Sequence, residues 1–153
     1  MSKIIVSDTS CLILLDKLGL LFLLENLFGE ITVTPEINEE YGQMLPEWIN
    51  VREVQNKTYQ AVLSATVDLG EASAIALAIE EQDCLLILDD DKARKTAARL
   101  GMNYVGTLGI LIAAKEAQLV LAVKPILKQI KATNFRLSES LERKILTLAG
   151  EKL

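Results

Sequence analysis

Apolar residues along this chain fall in short blocks, and carboxylates bound four of them: Asp8 after KIIVS, Glu40 in PEINEE, Glu71 in LGEASAIALA, and Asp89 with Asp90 after CLLIL. Lys3 to Ser7 reads as a short buried strand, with Thr9 and Ser10 as cap residues for a helix through about Lys17. Gly19 separates a second leucine-rich helix that ends near Gly29. Glu30 to Val33 is a strand, and Pro35 starts a short helix, since its fixed φ suits a first turn. Pro46 breaks the chain before an extended segment over Trp48 to Val54.

The second half repeats the alternation. Helices are expected from Lys57 to Val67 and from Gly70 to about Gln82, then a central strand over Cys84 to Leu88, whose continuous apolar run is short. A helix from Asp90 to Leu100, a strand at Tyr104 to Gly106 and a helix from Thr107 to Gln118 follow. Two amphipathic helices, Ala122 to Ala132 and Ser138 to Ala149, close the sequence. This order predicts an α/β fold, three layers with a mostly parallel central sheet, and a single domain over residues 1–153. Ligands of such sheets bind outside the carboxyl ends of the strands.

Asp8 and Asp89 should both lie at that edge, and as neighbours they can share an ion. Glu71 shares a helical stripe with Ile75 and Ala78, with Ser73 and Glu80 on the other side; Asp90 shares one with Ala93, Ala97 and Leu100. Asp91 stands four residues before Lys95, as in an exposed ion pair. Glu40 and Ile37 are three apart on one helix face. Taken singly, each acid reads as a cap or a first-turn charge favoured by the helix dipole. Together, carboxylates at buried positions require partners, protons or a cation.

Composition narrows the chemistry. Among 153 residues there is no histidine, which excludes Ser-His-Asp and Cys-His nucleophilic sites and His-ligated zinc. Cys11 and Cys84 lack the spacing of zinc or redox pairs and read as buried free thiols of a reducing compartment. No apolar run is long enough for a membrane span, and no cleavage site follows a basic start, so a cytoplasmic protein is expected. Met1 to Asp91 holds 4 basic and 17 acidic residues, whereas Lys92 to Leu153 holds 12 basic and 4 acidic. An acidic half for cations beside a basic half for phosphates suits a nuclease. All-oxygen ligation selects magnesium or manganese, which can activate water without a protein base.

The series VSDTS, TPEINEEYG with LPEWI, LGEASAIALA, LLILDDDKARKTAARLG and GTLGILIAAK resembles the PIN-domain nucleases, most closely prokaryotic PIN-like proteins near the toxins of toxin-antitoxin pairs. The resemblance covers nearly the whole chain. It implies an α/β/α fold, Mg2+- or Mn2+-dependent cleavage of RNA, homodimers, and a small antitoxin protein that blocks the site. Carried over, the first metal-binding acid is Asp8, the second Glu40, the third Glu71 and the fourth Asp90 or Asp89, with Thr9 or Ser10 after the first. Leu88 stands where many members have Thr or Ser two residues before the fourth acid, and the third acid is Glu rather than Asp.

On this reading Asp8, Glu71 and Asp90 ligate the ion, Glu40 and Asp89 complete the shell or orient water, and Lys92, Arg94 and Lys115 contact phosphate. Two rivals remain. One is a catalytically weak PIN-like regulatory or binding module, in keeping with the pI near 4.8. The other is a receiver-like phosphoacceptor built from Asp8, Asp89, Thr107 and Lys115.

Overall fold

The computed structural model describes residues 3–153; Met1 and Ser2 lie outside the described residues. Five strands, β1 (Ile4–Ser7), β2 (Ile31–Val33), β3 (Ile49–Val51), β4 (Cys84–Ile87) and β5 (Asn103–Val105), form one sheet in the order β3-β2-β1-β4-β5. Every neighbouring pair is parallel, with Ser7 opposite Ile87 and Ile87 opposite Val105. β1 and β4 are therefore neighbours, as a shared site for Asp8 and Asp89 requires. They also flank the point where strand order reverses, where a crevice opens at the carboxyl ends in folds of this kind.

Helices cover both faces. α1 (Thr9–Lys17) and α2 (Phe22–Phe28) link β1 to β2, α3 (Pro35–Tyr41) links β2 to β3, and α4 (Lys57–Leu63) and α5 (Leu69–Glu80) link β3 to β4. α6 (Asp91–Arg99) leads into β5, and α7 (Thr107–Glu116), α8 (Lys124–Lys131) and α9 (Glu139–Leu148) complete the described chain. α5 packs on β1 and β4 and is walled by α3, α4 and α6, while α2 packs on β2 and meets α7, which carries α9 behind it. The result is the expected three-layer α/β/α arrangement.

The core is built mainly from Leu, Ile, Val and Ala, with Leu12, Leu15, Leu23, Leu77 and Leu86 fully buried. α5 departs from the expected amphipathic helix. Gly70 and every residue from Ala72 to Ala78 are buried, because the small side chains of GEASAIALA let neighbours close in on all sides. Ser73 therefore does not face solvent: its hydroxyl pairs with Thr34 at 2.6 Å and donates to the Gly70 carbonyl at 2.6 Å. The inner-stripe argument for Glu71 fails on this helix, although Glu71 is still half-buried.

Helix starts carry the next correction. Asp8, not Thr9 or Ser10, caps α1, Asp68 caps α5 and Asp90 caps α6. Each accepts a backbone N–H three residues on, satisfying one of the orphan donors of a first turn. Asp91 stays exposed, and among the described residues it forms no ion pair with Lys95. No helix of the described residues is long and apolar enough to cross a membrane. Cys11 and Cys84 are buried free thiols, Cys84 pushed up to about 12 by burial and by Glu81 and Asp83.

Candidate active site

Four helix starts and two strand ends meet at the carboxyl edge of the sheet. Asp8 follows β1 and is 2% exposed. Its Oδ1 accepts from Cys11 N at 2.9 Å, capping α1, and its Oδ2 accepts from Asp89 N at 3.0 Å, tying the ends of β1 and β4 together. Asp89 is half-buried and reaches onward to α7, with Oδ1 accepting from Thr107 N at 2.8 Å and Oδ2 from Thr107 Oγ1 at 2.6 Å. Gly106, the residue before α7, has no side chain to cap with, so Asp89 supplies the acceptor from another strand. Asp90 caps α6, its Oδ2 accepting from Ala93 N at 3.0 Å.

Glu71 is the unusual member. Asp68-Leu69-Gly70-Glu71 has the spacing of a capping box, in which an acid at the cap and an acid three residues later satisfy each other's backbone N–H. Half of the box forms: Asp68 Oδ1 accepts from Glu71 N at 3.2 Å. Among the described residues the return bond from Asp68 N to Glu71 is absent, and Glu71 Oε2 is buried with no hydrogen-bond partner. The side chain instead feels the negative charge of Asp68, Asp90 and Asp8.

A cleft of about 680 Å³ opens over these groups, lined by Ser10, Lys17, Asp68, Glu71, Asp89 and Asp90, with the Thr133–Arg136 turn along its far side. Asp8 lies beneath the floor. Glu40 belongs to a neighbouring hollow of about 480 Å³, shared with Glu36, Glu39 and Gly70, and Asp68 borders both. A Cβ on Gly70 would collide with the Glu40 carboxylate, so a glycine at this point lets Glu40 approach the start of α5. Thr9 Oγ1 is buried without a partner of good geometry, although it faces Glu40 and lowers that acid's pKa.

The sequence-predicted acids thus separate into Asp8, Glu71, Asp89 and Asp90 around one cleft, and Glu40 at its border. Asp68 was missed. Its signal was the D-x-x-E box ahead of an apolar run, which reads as ordinary capping until Glu71 is seen to decline its half.

Three predicted phosphate contacts fare differently. Lys92 is exposed. Arg94 is turned inward, donating from Nε to the Leu88 carbonyl at 2.8 Å and lying 5.4 Å from the centre of the Tyr104 ring. Gly106 leaves room for it, since a Cβ there would strike the guanidinium. Lys115 bonds Ala149 O at 2.7 Å and Glu151 Oε2 at 3.0 Å, pinning the segment after α9. A phosphoacceptor site that needs Lys115 beside Asp8 and Asp89 is not assembled, although Thr107 does bond Asp89.

Electrostatics sets the cleft apart. Burial, then the neighbouring Asp89, raises Asp8 from 3.8 to about 7, against the pull of two backbone N–H groups and Arg94. Burial, then the hydrogen bond and charge of Asp68, then Asp90 and Asp8, raises Glu71 from 4.5 to about 9. Glu40 is raised by burial and by Asp68. These are carboxylates crowded beyond what the four helix dipoles can offset.

Both strongly shifted acids bind protons more tightly in the folded protein than in the unfolded chain, so stability is greatest at acid pH and declines as pH rises. The decline runs from 3.8 to about 7 for Asp8 and from 4.5 to about 9 for Glu71. In EDTA, the thermal midpoint is expected to fall between about pH 5 and pH 8. A midpoint that is flat or rises over that range would show that the acids are not crowded as described.

The chemistry of this donor set suits a hard divalent cation. The donors are all hard oxygens, their mutual repulsion is what a cation relieves, and no protein N–H or hydroxyl donates to Glu71 Oε2, whose nearest polar company is the Asp68 carboxyl. Among the described residues no three acids are yet gathered closely enough to hold an ion. Asp8 and Asp90 each keep a cap bond, yet a carboxylate oxygen has a second lone pair with which to ligate.

Comparison with known proteins agrees with the geometry. A family model described as PIN domain matches residues 4–151, and PIN domains are generally nucleases that typically use divalent metals. No curated protein and no solved structure matches the chain. With a five-stranded parallel sheet, helices on both faces, acids at the strand-order reversal and a match over nearly its whole length, the chain belongs to the PIN-domain family.

Proposed function

We propose that this protein is a Mg2+- or Mn2+-dependent endoribonuclease whose ion sits in the cleft over Asp8. The observation that carries the proposal is Glu71, which forgoes its capping bond and leaves a buried carboxylate oxygen unpaired among Asp8, Asp68 and Asp90. Asp8, Glu71 and Asp90 would hold the ion. When bound, it supplies the polarised water and the charge neutralisation that phosphodiester hydrolysis needs, which a chain without histidine lacks otherwise.

Asp8 is held by two backbone N–H groups, so its position is set before any ligand arrives. Asp89 positions the start of α7 and, through its own N–H, the Asp8 carboxylate. Glu40, from the neighbouring hollow, would orient water or complete the shell, and Asp68 adds charge between the two. Arg94, among the groups that lower Asp8, keeps part of that acid ionised. The resemblance of the sequence motifs favours a toxin or toxin-like protein acting as a homodimer in the cytoplasm, with a small antitoxin protein covering the cleft.

A second reading is a PIN-like binding module with little catalysis. It is favoured by the hydrogen bonds that already occupy Asp8, Asp89 and Asp90. RNA cleavage by purified protein with manganese, magnesium or EDTA separates the two. Cleavage present with either metal and absent in EDTA is expected; no cleavage at any metal concentration would favour the binding module.

A further inference from the structure

Ser73 is out of keeping with its helix. The other buried residues of α5 are Gly, Ala, Ile and Leu, and alanine is the better helix former, yet a fully buried hydroxyl stands among them. Its partner Thr34 is also fully buried and belongs to a different element, as the cap of α3. Capping alone does not call for Ser73, because Thr34 Oγ1 already accepts from Ile37 N at 3.2 Å.

The bonds fix the direction of both hydroxyls. Ser73 gives its one proton to the Gly70 carbonyl at 2.6 Å, so the proton between the two hydroxyls comes from Thr34. A one-way relay results, from Ile37 N–H through Thr34 and Ser73 to Gly70 O. It ends on the Gly70–Glu71 peptide, whose N–H donates to Asp68 Oδ1. That peptide is therefore held by side chains at both its C=O and its N–H. The Glu40 carboxylate closes over Gly70 from α3, so α3 and α5 meet at this peptide twice.

Glu71 depends on such a hold. No N–H or hydroxyl donates to its Oε2, and the acids around it repel it, so the aim of its carboxylate comes from the backbone that carries it. Small side chains let packed helices slide, whereas a buried polar network with every member satisfied selects one arrangement. We infer that Thr34 and Ser73 are positioning residues of the acidic site, their relay setting the Gly70–Glu71 peptide and so the place that Glu71 takes beside an ion shared with Asp8 and Asp90. The inference rests on the cleft being a metal site, and it adds to that site a buried pair that touches no ligand.

The test is manganese affinity of the full chain at about pH 8, with free ion followed by its paramagnetic resonance, so that no RNA is needed. Ser73→Ala and Thr34→Val should each weaken binding by about 10-fold or more, the scale for groups that orient a metal ligand. Ser73→Ala places alanine in an alanine-rich helix and keeps the fold, which a cooperative thermal transition in EDTA checks. Thr34→Ser retains the hydroxyl and should bind as wild type does. Ile49→Val, a core change in edge strand β3, lowers stability without reaching the relay and should leave affinity unchanged.

Unchanged affinity in Ser73→Ala, or an equal loss in Ile49→Val, would reduce the relay to ordinary core packing and leave the metal site standing. Thr34→Ser binding as poorly as Thr34→Val would show that the methyl group matters rather than the hydroxyl, and the inference would be wrong. Wild type that binds no manganese would remove the hydrolytic reading and this inference with it.

Discussion

Asp8→Asn is expected to lower metal-dependent RNA cleavage by at least about 100-fold, the scale seen when one group stabilising charge in a transition state is removed. The same change should leave the metal-free fold intact. Asn keeps the Oδ1 that accepts from Cys11 N, but its Nδ2 is a donor and leaves Asp89 N without an acceptor, so one buried hydrogen bond is lost. Because the folded protein raises Asp8 to about 7, the ionised form is disfavoured at neutral pH, and Asn removes that penalty. In EDTA, Asp8→Asn should be less stable than wild type near pH 5 because of the lost bond, equal or exceed it near pH 8 where wild-type Asp8 is forced to ionise, and show a flatter pH profile. Lost activity with stability retained near pH 8 distinguishes a site acid from a structural cap, whose removal typically costs about 1 kcal/mol. Activity and stability falling together would mean that Asp8 is mainly a cap.

Asp89→Ala should give the largest loss of stability. Thr107 is fully buried, and both its N–H and its hydroxyl donate to Asp89. Without the carboxylate these donors have no acceptor, and hydrogen bonds to a charged group are worth about 1.5–3 kcal/mol each. Relief of the repulsion felt by Asp8 offsets part of the loss, so a net destabilisation of about 2–4 kcal/mol is expected, or roughly 5–15 °C in thermal midpoint. Asp89→Asn can still accept from Thr107 N and should recover most of that stability. It should also lower the Asp8 pKa, because the Asp89 charge is among the groups that raise it. Equal stability of Asp89→Ala and wild type would show that the start of α7 does not depend on this side chain.

The alternation of short apolar strands with helices was legible in the sequence because each element is bounded by local chemistry: a cap residue, a proline or a glycine. Helix ends fell within a few residues of expectation for the same reason. α5 shows the limit. A 3.6-residue period tells inside from outside only when one face is polar, and an alanine-rich helix buried all round has no such face.

Within the site, Asp8 and Asp89 were found because a strand end fixes where its next residue lies. Their adjacency followed once β1 and β4 proved to be neighbours. Glu40 could not be placed in this way, since its distance from Glu71 depends on how α3 meets α5 across Gly70. Lys115 and Arg94 looked like free cations because nothing local marks Glu151 or the Leu88 carbonyl as their partners. Asp68 was hidden by its own ordinariness as a cap.

Hydrolysis at this cleft requires that the crowded acids take a cation. Manganese titrated into purified protein at about pH 8, with free ion followed by its paramagnetic resonance, measures this without RNA or turnover. Saturable binding in wild type, strongly weakened in both Asp8→Asn and Glu71→Gln, is the predicted result. Binding that is equal in all three proteins, or absent in wild type, would contradict a metal site in this cleft.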